Sequence, residues 1–385
     1  RIQNGNLTLN NVTLSGNTAS SGAGISGGGS ACALNLTNTV ISNNAATGSS
    51  SQGGGIFSTS CTMTLINSTI SGNTAAIGGG INALYGTLNA TGSTISDNTA
   101  IYSGGGIQAS GSGLTINLDH STLSGNTLST SSASAFYRGG GLSLSSYGQA
   151  TLTASTVSNN GANTGGGIAA YSHATLTVTD STFSGNTQVD TGGAIALGSS
   201  STATVTNSTL SGNAATYGGA IYLSDNAELT LNNTTVSGNT AYTAGGVESI
   251  RYTQLSLNNS IVSGNTLATS GGSNPDIGNF SGTVPFSASH SLLGSGVSPD
   301  AGQNNIFSDA PGLNALADNG GPTQTMALQA GSAALDAGDN AAIPPGVSND
   351  QRGAGYPRIV KGNVDIGAYE SAQDTIFANG FEPVP

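Results

Sequence analysis

Leu14-Ser15-Gly16-Asn17 returns as Ile70-Ser71-Gly72-Asn73, Phe183-Ser184-Gly185-Asn186 and Val262-Ser263-Gly264-Asn265. With near matches included, the closing asparagine falls at Asn17, Asn44, Asn73, Asn98, Asn126, Asn160, Asn186, Asn213, Asn239 and Asn265. The intervals run from 25 to 34 residues and settle at 26 or 27 in the later units. Self-similarity at such a period marks a solenoid, propeller or array, in which each unit packs on the next and extends a single core.

Three apolar clusters recur within each unit. One follows a glycine run, as in Gly78-Gly79-Gly80-Ile81 and Gly192-Gly193-Ala194-Ile195. A second alternates with period two, as in Ile116-Asn117-Leu118 and Leu229-Thr230-Leu231, and the third leads into the asparagine, as in Ser208-Thr209-Leu210. Alternation rich in Thr, Val and Ile predicts short strands with one buried face, and no segment sustains a helical apolar period. Three strands in a repeat of about 26 residues wind as one coil of an all-β, single-chain parallel β-helix. Right-handed winding is expected, because parallel crossovers are almost always right-handed. The glycines suit turns with positive φ. The recurring asparagines are expected at left-handed corners, stacked coil on coil into an amide ladder. That makes them structural; a site reading would need a cofactor on every coil.

Cys32 and Cys61, the two cysteines, each lie twelve residues before a ladder asparagine. Equal register on successive coils places them near disulfide distance, given strands about 4.8 Å apart. A rung-to-rung disulfide and a pair of buried thiols both satisfy that spacing.

Charged residues make up 6% of the chain, and of its 18 acidic residues most lie beyond residue 270. The repeat array therefore has no basic patch for nucleic acid. No apolar run reaches the roughly 18 residues of a membrane-spanning helix. The domain reading is a repeat array over 1–270, degenerate coils and a C-terminal capping module over 271–370, and a tail over 371–385. The first repeat begins within ten residues of Arg1 with no polar cap before it, which leads us to expect upstream sequence or a covering molecule at that end.

The pairing of Gly-Gly-[Gly/Ala]-Ile with a hydrophobic-x-x-Asn motif, over about residues 10–270, resembles the passenger repeats of polymorphic outer-membrane protein adhesins. It is similar, more broadly, to bacterial secreted right-handed β-helix proteins. Residues 310–370, with Asp336-Ala337-Gly338, Asp350-Gln351-Arg352-Gly353 and Val364-Asp365-Ile366-Gly367, resemble the choice-of-anchor module of exported bacterial proteins. The resemblance implies an exported, extracellular or cell-surface location; the terminal strands of a membrane barrel are lacking.

The second module suits a cap that ends an open β edge with Pro, Gly and Asp. Arg352, Asp350 and Asp365 are candidates for its ion pairs. A calcium site from Asp336, Asp339, Asp350 and Asp365 is the competing reading, although the spacing matches no EF-hand loop. Ile376, Phe377 and Phe381 give the tail apolar side chains, which either fold back on the cap or dock on a neighbouring subunit or the cell envelope.

Catalysis on polysaccharides would need paired carboxylates or a base beside a metal, gathered in one groove. The charges of the array, from Asp97 and Asp119 through Arg138, Asp180, Asp190, Asp225 and Glu228 to Glu248 and Arg251, fall in differing registers. Glu248 and Arg251 read as a solvated surface pair, and His120, His173 and His290 stand far apart. No catalytic residue, metal site or cofactor is assigned. The expected function is an extracellular structural or adhesive rod, able to associate end to end into a fibre. A carbohydrate-binding or carbohydrate-cleaving protein is the alternative. It rests on Tyr85, Tyr102, Tyr137, Tyr147, Tyr171, Tyr217, Tyr222, Tyr242 and Tyr252, which by spacing occupy differing registers.

Overall fold

The glycine run sets where each coil begins. Gly78 has φ +65°, and a side chain on Gly79 would sit 2.5 Å from the carbonyl of Gly105 in the next coil. Gly80 is nearly as close, 2.6 Å from the carbonyl of Gly106, yet its other neighbour is the Asn98 side chain at 3.0 Å and in two coils its place is taken by Ala194 and Ala220. The three glycines thus let neighbouring coils approach to backbone contact before the first strand starts.

The computed structural model describes residues 1–129, 138–269, 274–279, 286–360 and 362–372. Its strands form three long parallel sheets, each strand pairing with its counterpart one coil away. Sheet A has eleven strands, from Ile2–Gln3 to Ile277–Asn279; sheet B has eleven, from Asn6–Asn10 to Phe286–Ser289; sheet C has twelve, from Thr13–Ser15 to Ile306–Phe307. A fourth side was not expected. Short strands such as Thr99–Ser103 form a seven-stranded sheet D, because the small residues after the ladder asparagine, Thr-Ala in several coils, also run extended and pair. The inner faces stack into one aliphatic core, with columns such as Ile81, Ile107, Leu142 and Ile168, all fully buried.

The asparagine ladder is continuous. The backbone N–H and Nδ2 of Asn73 both donate to Oδ1 of Asn98 at 2.9 Å, while the same Nδ2 also reaches the carbonyl of Ile41. The pattern runs from Asn17 to Asn265, and the ladder side chains from Asn44 onward are nearly or fully buried. At the far end Asn265 donates to the carboxylate of Asp276 at 2.8 and 2.9 Å. The left-handed conformation falls one residue earlier than expected, on Gly72, Gly125 and their equivalents Asn43, Asp97 and Asn159. The ladder asparagine must present N–H and amide along the axis, so the corner is turned by the residue before it.

A second ladder runs beside the first. The backbone N–H of Ser68 donates to Oγ of Ser93, Ser93 to Ser121, Ser121 to Ser155, and Ser155 to Ser181, each at 3.1 Å. Cys32 and Cys61 form the rung-to-rung disulfide, with Cα atoms 4.6 Å apart.

Beyond the last coil the chain turns back along the flank of the solenoid, where a cap across its end was expected. The Thr182 hydroxyl donates to the carbonyl of Gln324, Asn207 to that of Asn349, Thr209 to the side chain of Gln351, and Asn259 to the carbonyl of Asp339. Thr182 and Thr209 share one register in successive coils on the outer face of sheet C, and Asn207 and Asn259 share another, two residues earlier in the turn that enters it. The first outward position of that sheet is partly exposed at Thr94, Thr122 and Thr156 and buried at Thr182, Thr209, Thr235, Ile261 and Leu292. Ile261 and Leu292 pack with Leu328, Ala334 and Ile366 of the returning segment, which anchors it.

Candidate functional site

The outward file of sheet A includes polar side chains that should face water. Asn82 is 1% exposed, Gln108 8% and Glu248 0%, because the segments on both sides of the sheet rise above it. One border is the turn from sheet A to sheet B, which carries Tyr85, Tyr147, Tyr171 and Tyr252. The other joins sheet D to sheet A and carries Tyr102, Tyr217 and Tyr242, while Tyr222 lies on the sheet itself. Tyr137 falls outside the described residues. The tyrosines that linear spacing scatters therefore collect around one face. Intervals counted from the asparagine absorb loops of different length on sheet D, which hides the shared register. Counting back two residues from the period-two strand of sheet B recovers Tyr85, Tyr147 and Tyr252, while Tyr171 lies four back.

The two borders meet at mid-length. The Arg138 guanidinium stands 3.8 Å above the ring of Tyr171, an attraction between cation and aromatic face. That ring packs on Ala169 and Ala196, small residues in the outward file that give it room. The result is a trough bridged by an Arg-Tyr pair. On the first border Tyr147 stacks on His173, ring centroids 4.7 Å apart and planes within 11°. Tyr147 remains 58% exposed, Tyr85 51% and Tyr252 80%, so the aromatic surface faces solvent.

Electrostatics within the trough are mixed. Arg251 pairs with Asp225 at 3.2 Å, and the surface pair expected between Arg251 and Glu248 does not form. Glu248 is buried below, between Tyr222 of one coil and Gly278 of the next, whose missing side chain leaves room for the carboxylate. Burial pushes its pKa up to about 7, against the lowering influence of the Thr243 hydroxyl. Burial likewise raises Tyr222 to about 12, Arg251 opposing, and lifts Tyr171 and Asp190 above their ordinary ranges. A half-dry floor, aromatic borders and charges of both signs can hold an uncharged, amphipathic chain by stacking and hydrogen bonds.

The ladder asparagines and the cysteines are brought together along the axis, away from the trough. Asp350 pairs with Arg352 at 2.6 Å, while Asp365 accepts the N–H groups of Asp336 and Ser371 and takes no arginine on its carboxylate. Asp339 caps the short 3-10 turn Asn340–Ala342. The four aspartates considered for calcium are thus spread over separate contacts, and among the described residues no cluster of three or more His, Cys, Asp or Glu is poised for a metal. His120 contacts Asp119 at 2.9 Å in an exposed corner. Ile376, Phe377 and Phe381 fall outside the described residues. Sequence spacing passes over the serine ladder and Asp276; the Ser preceding Thr in each third cluster was the available signal for the former.

The family profile described as a right handed beta helix region matches residues 106–281. It agrees with the parallel coils in fold and handedness, and a fold of this kind assigns no activity by itself. No curated protein sequence matches the chain. Among the described residues no helix is long and apolar enough to cross a membrane.

Proposed function

We propose that the chain is an adhesive rod of an exported bacterial protein, displayed outside the cell, which binds a neutral glycan along the outer face of sheet A. The observation that carries this reading is the gathering of tyrosines on both borders of one trough, with the exposed Tyr147–His173 stack as a flat platform. Sugar rings present apolar C–H faces that pack on such platforms. Asp190, Asp225 and Glu248 outnumber Arg138 and Arg251, so a polyanionic chain would be disfavoured. The buried Cys32–Cys61 disulfide is compatible with an oxidising compartment.

A glycan array, followed by titration of the best neutral hit, tests the proposal. Tyr147→Ala should weaken binding by about tenfold, equivalent to about 1.4 kcal/mol, whereas Thr177→Ala on the outer face of sheet B should change nothing. Binding confined to acidic glycans, or equal loss from both variants, would defeat the assignment.

A further inference from the structure

Residues 308–372 keep their shape around a buried charge cluster. Asp350 is fully buried against Arg352, which lies between the rings of Tyr356 and Tyr369 at 4.0 and 3.8 Å. Arg358, 1% exposed, reaches the Glu370 carboxylate at 3.3 Å and the carbonyl of Asp365 at 2.7 Å. Its Nε and Nη1 have no hydrogen-bond partner. Glu370 accepts the N–H groups of Val360 and Asp365, and Asp336 adds its charge beside Asp365. From the solenoid, Asp180 faces the same cluster, within the field of Asp350 and Arg358. Among the described residues, Asp180, Asp336, Asp350, Asp365 and Glu370 thus confront Arg352 and Arg358 alone, in a place largely shut off from water.

Excess negative charge in such a place is costly unless a carboxyl keeps its proton. We propose that residues 308–372 are a latch on the flank of the solenoid, closed while this cluster holds a proton and released as rising pH ionises every carboxylate.

The direction follows from linkage. Burial pushes Glu370 up to about 8, against the lowering influence of Arg358, and Asp180 up to about 6, against that of Asn207; Asp365 is also raised, chiefly by burial. Carboxyls whose values are raised in the docked state stabilise docking fully below the ordinary carboxylate range. That stabilisation is lost as pH climbs through about 6 and then about 8. At the other end of the latch His290 lies 3.9 Å from Asp339. Opening uncovers Thr182, Thr209 and Thr235, and extends along the rod the hydroxyl file already open at Thr94, Thr122 and Thr156.

Amide hydrogen exchange of the full chain at pH 5, 7 and 9, corrected for the intrinsic rate at each pH, tests the latch. Protection of residues 345–360 should fall by at least about tenfold from pH 5 to pH 9, the factor carried by one pKa unit of differential proton binding. Coils 3 to 6, counted by their ladder asparagines Asn73, Asn98, Asn126 and Asn160, should keep theirs. Glu370→Gln should flatten the dependence. Asp180→Asn, on the solenoid side and outside the latch, should do so in part and provides the test if the first variant does not fold. Protection that is flat with pH, loss that proceeds in step with coils 3 to 6, or an unchanged slope in the folded variants would overturn the proposal.

Discussion

A single asparagine in this rod donates three hydrogen bonds and accepts two. Asn126 donates from its backbone and its amide to Asn160 and from the amide again to the carbonyl of Ile95. Alanine there takes the Nδ2 partner from the carbonyl of Ile95, the acceptor from the backbone N–H of Asn98, and one of the two acceptors from the Asn98 amide, which keeps its bond to Ile70. We expect Asn126→Ala to lower the unfolding free energy by about 1–3 kcal/mol, the cost of orphaned buried polar groups, measured by urea titration. Ser124→Ala, two residues away on the outer face, should lie within about 0.5 kcal/mol of the parent. Asp276 makes a different prediction. Burial holds its pKa above the ordinary value, opposed by the bonds from Asn265, so its ionised form is disfavoured in the fold. Asp276→Asn should therefore stabilise the chain at pH 7 and make no difference at pH 3, as thermal unfolding at the two values would reveal; equal effects at both would contradict it.

At the scale of the element, the turn glycines are not equivalent. A side chain at Gly79 meets the carbonyl of Gly105 at 2.5 Å, whereas the third glycine gives way to Ala194 and Ala220 elsewhere. Gly79→Ala should prevent soluble expression or lower the melting temperature severely; Gly80→Ala should remain folded. The same scale shows what sequence can and cannot convey. Strands, coil length and ladder were legible because each obeys a period. The positive φ was assigned to the asparagine and belongs to its predecessor, since either residue tolerates that region and only backbone geometry separates them. The tyrosine borders were hidden by variable loops, and the flank contact of residues 308–372 has no period at all. Its one trace is the change from Thr156, Thr182, Thr209 and Thr235 to Ile261 and Leu292 at a single register. Ile261→Thr restores the repeat residue and should loosen the returning segment by about 2–3 kcal/mol, seen as faster proteolysis within 308–372 and an unaltered solenoid.

Across the whole molecule, stability is divided along the axis, because each coil touches its neighbours and few others. The Cys32–Cys61 bridge closes a loop of 29 residues in the early coils, and the returning segment braces the late ones. Replacing both cysteines by serine should destabilise the early coils by about 2–4 kcal/mol on the chain-entropy account and leave protection of coils 7 to 10 intact in hydrogen exchange. Between these supports, the rod offers two unlike long faces. Sheet B presents regular files such as Thr151, Thr177, Thr204 and Thr230, and sheet A presents the tyrosine-bordered trough. The functional account depends on the second. A crystal structure with a bound neutral oligosaccharide from the glycan screen tests it most directly: sugar rings stacked on Tyr147 and lying along the trough over sheet A are predicted, and sugar seated on the threonine files of sheet B with an empty trough would contradict it.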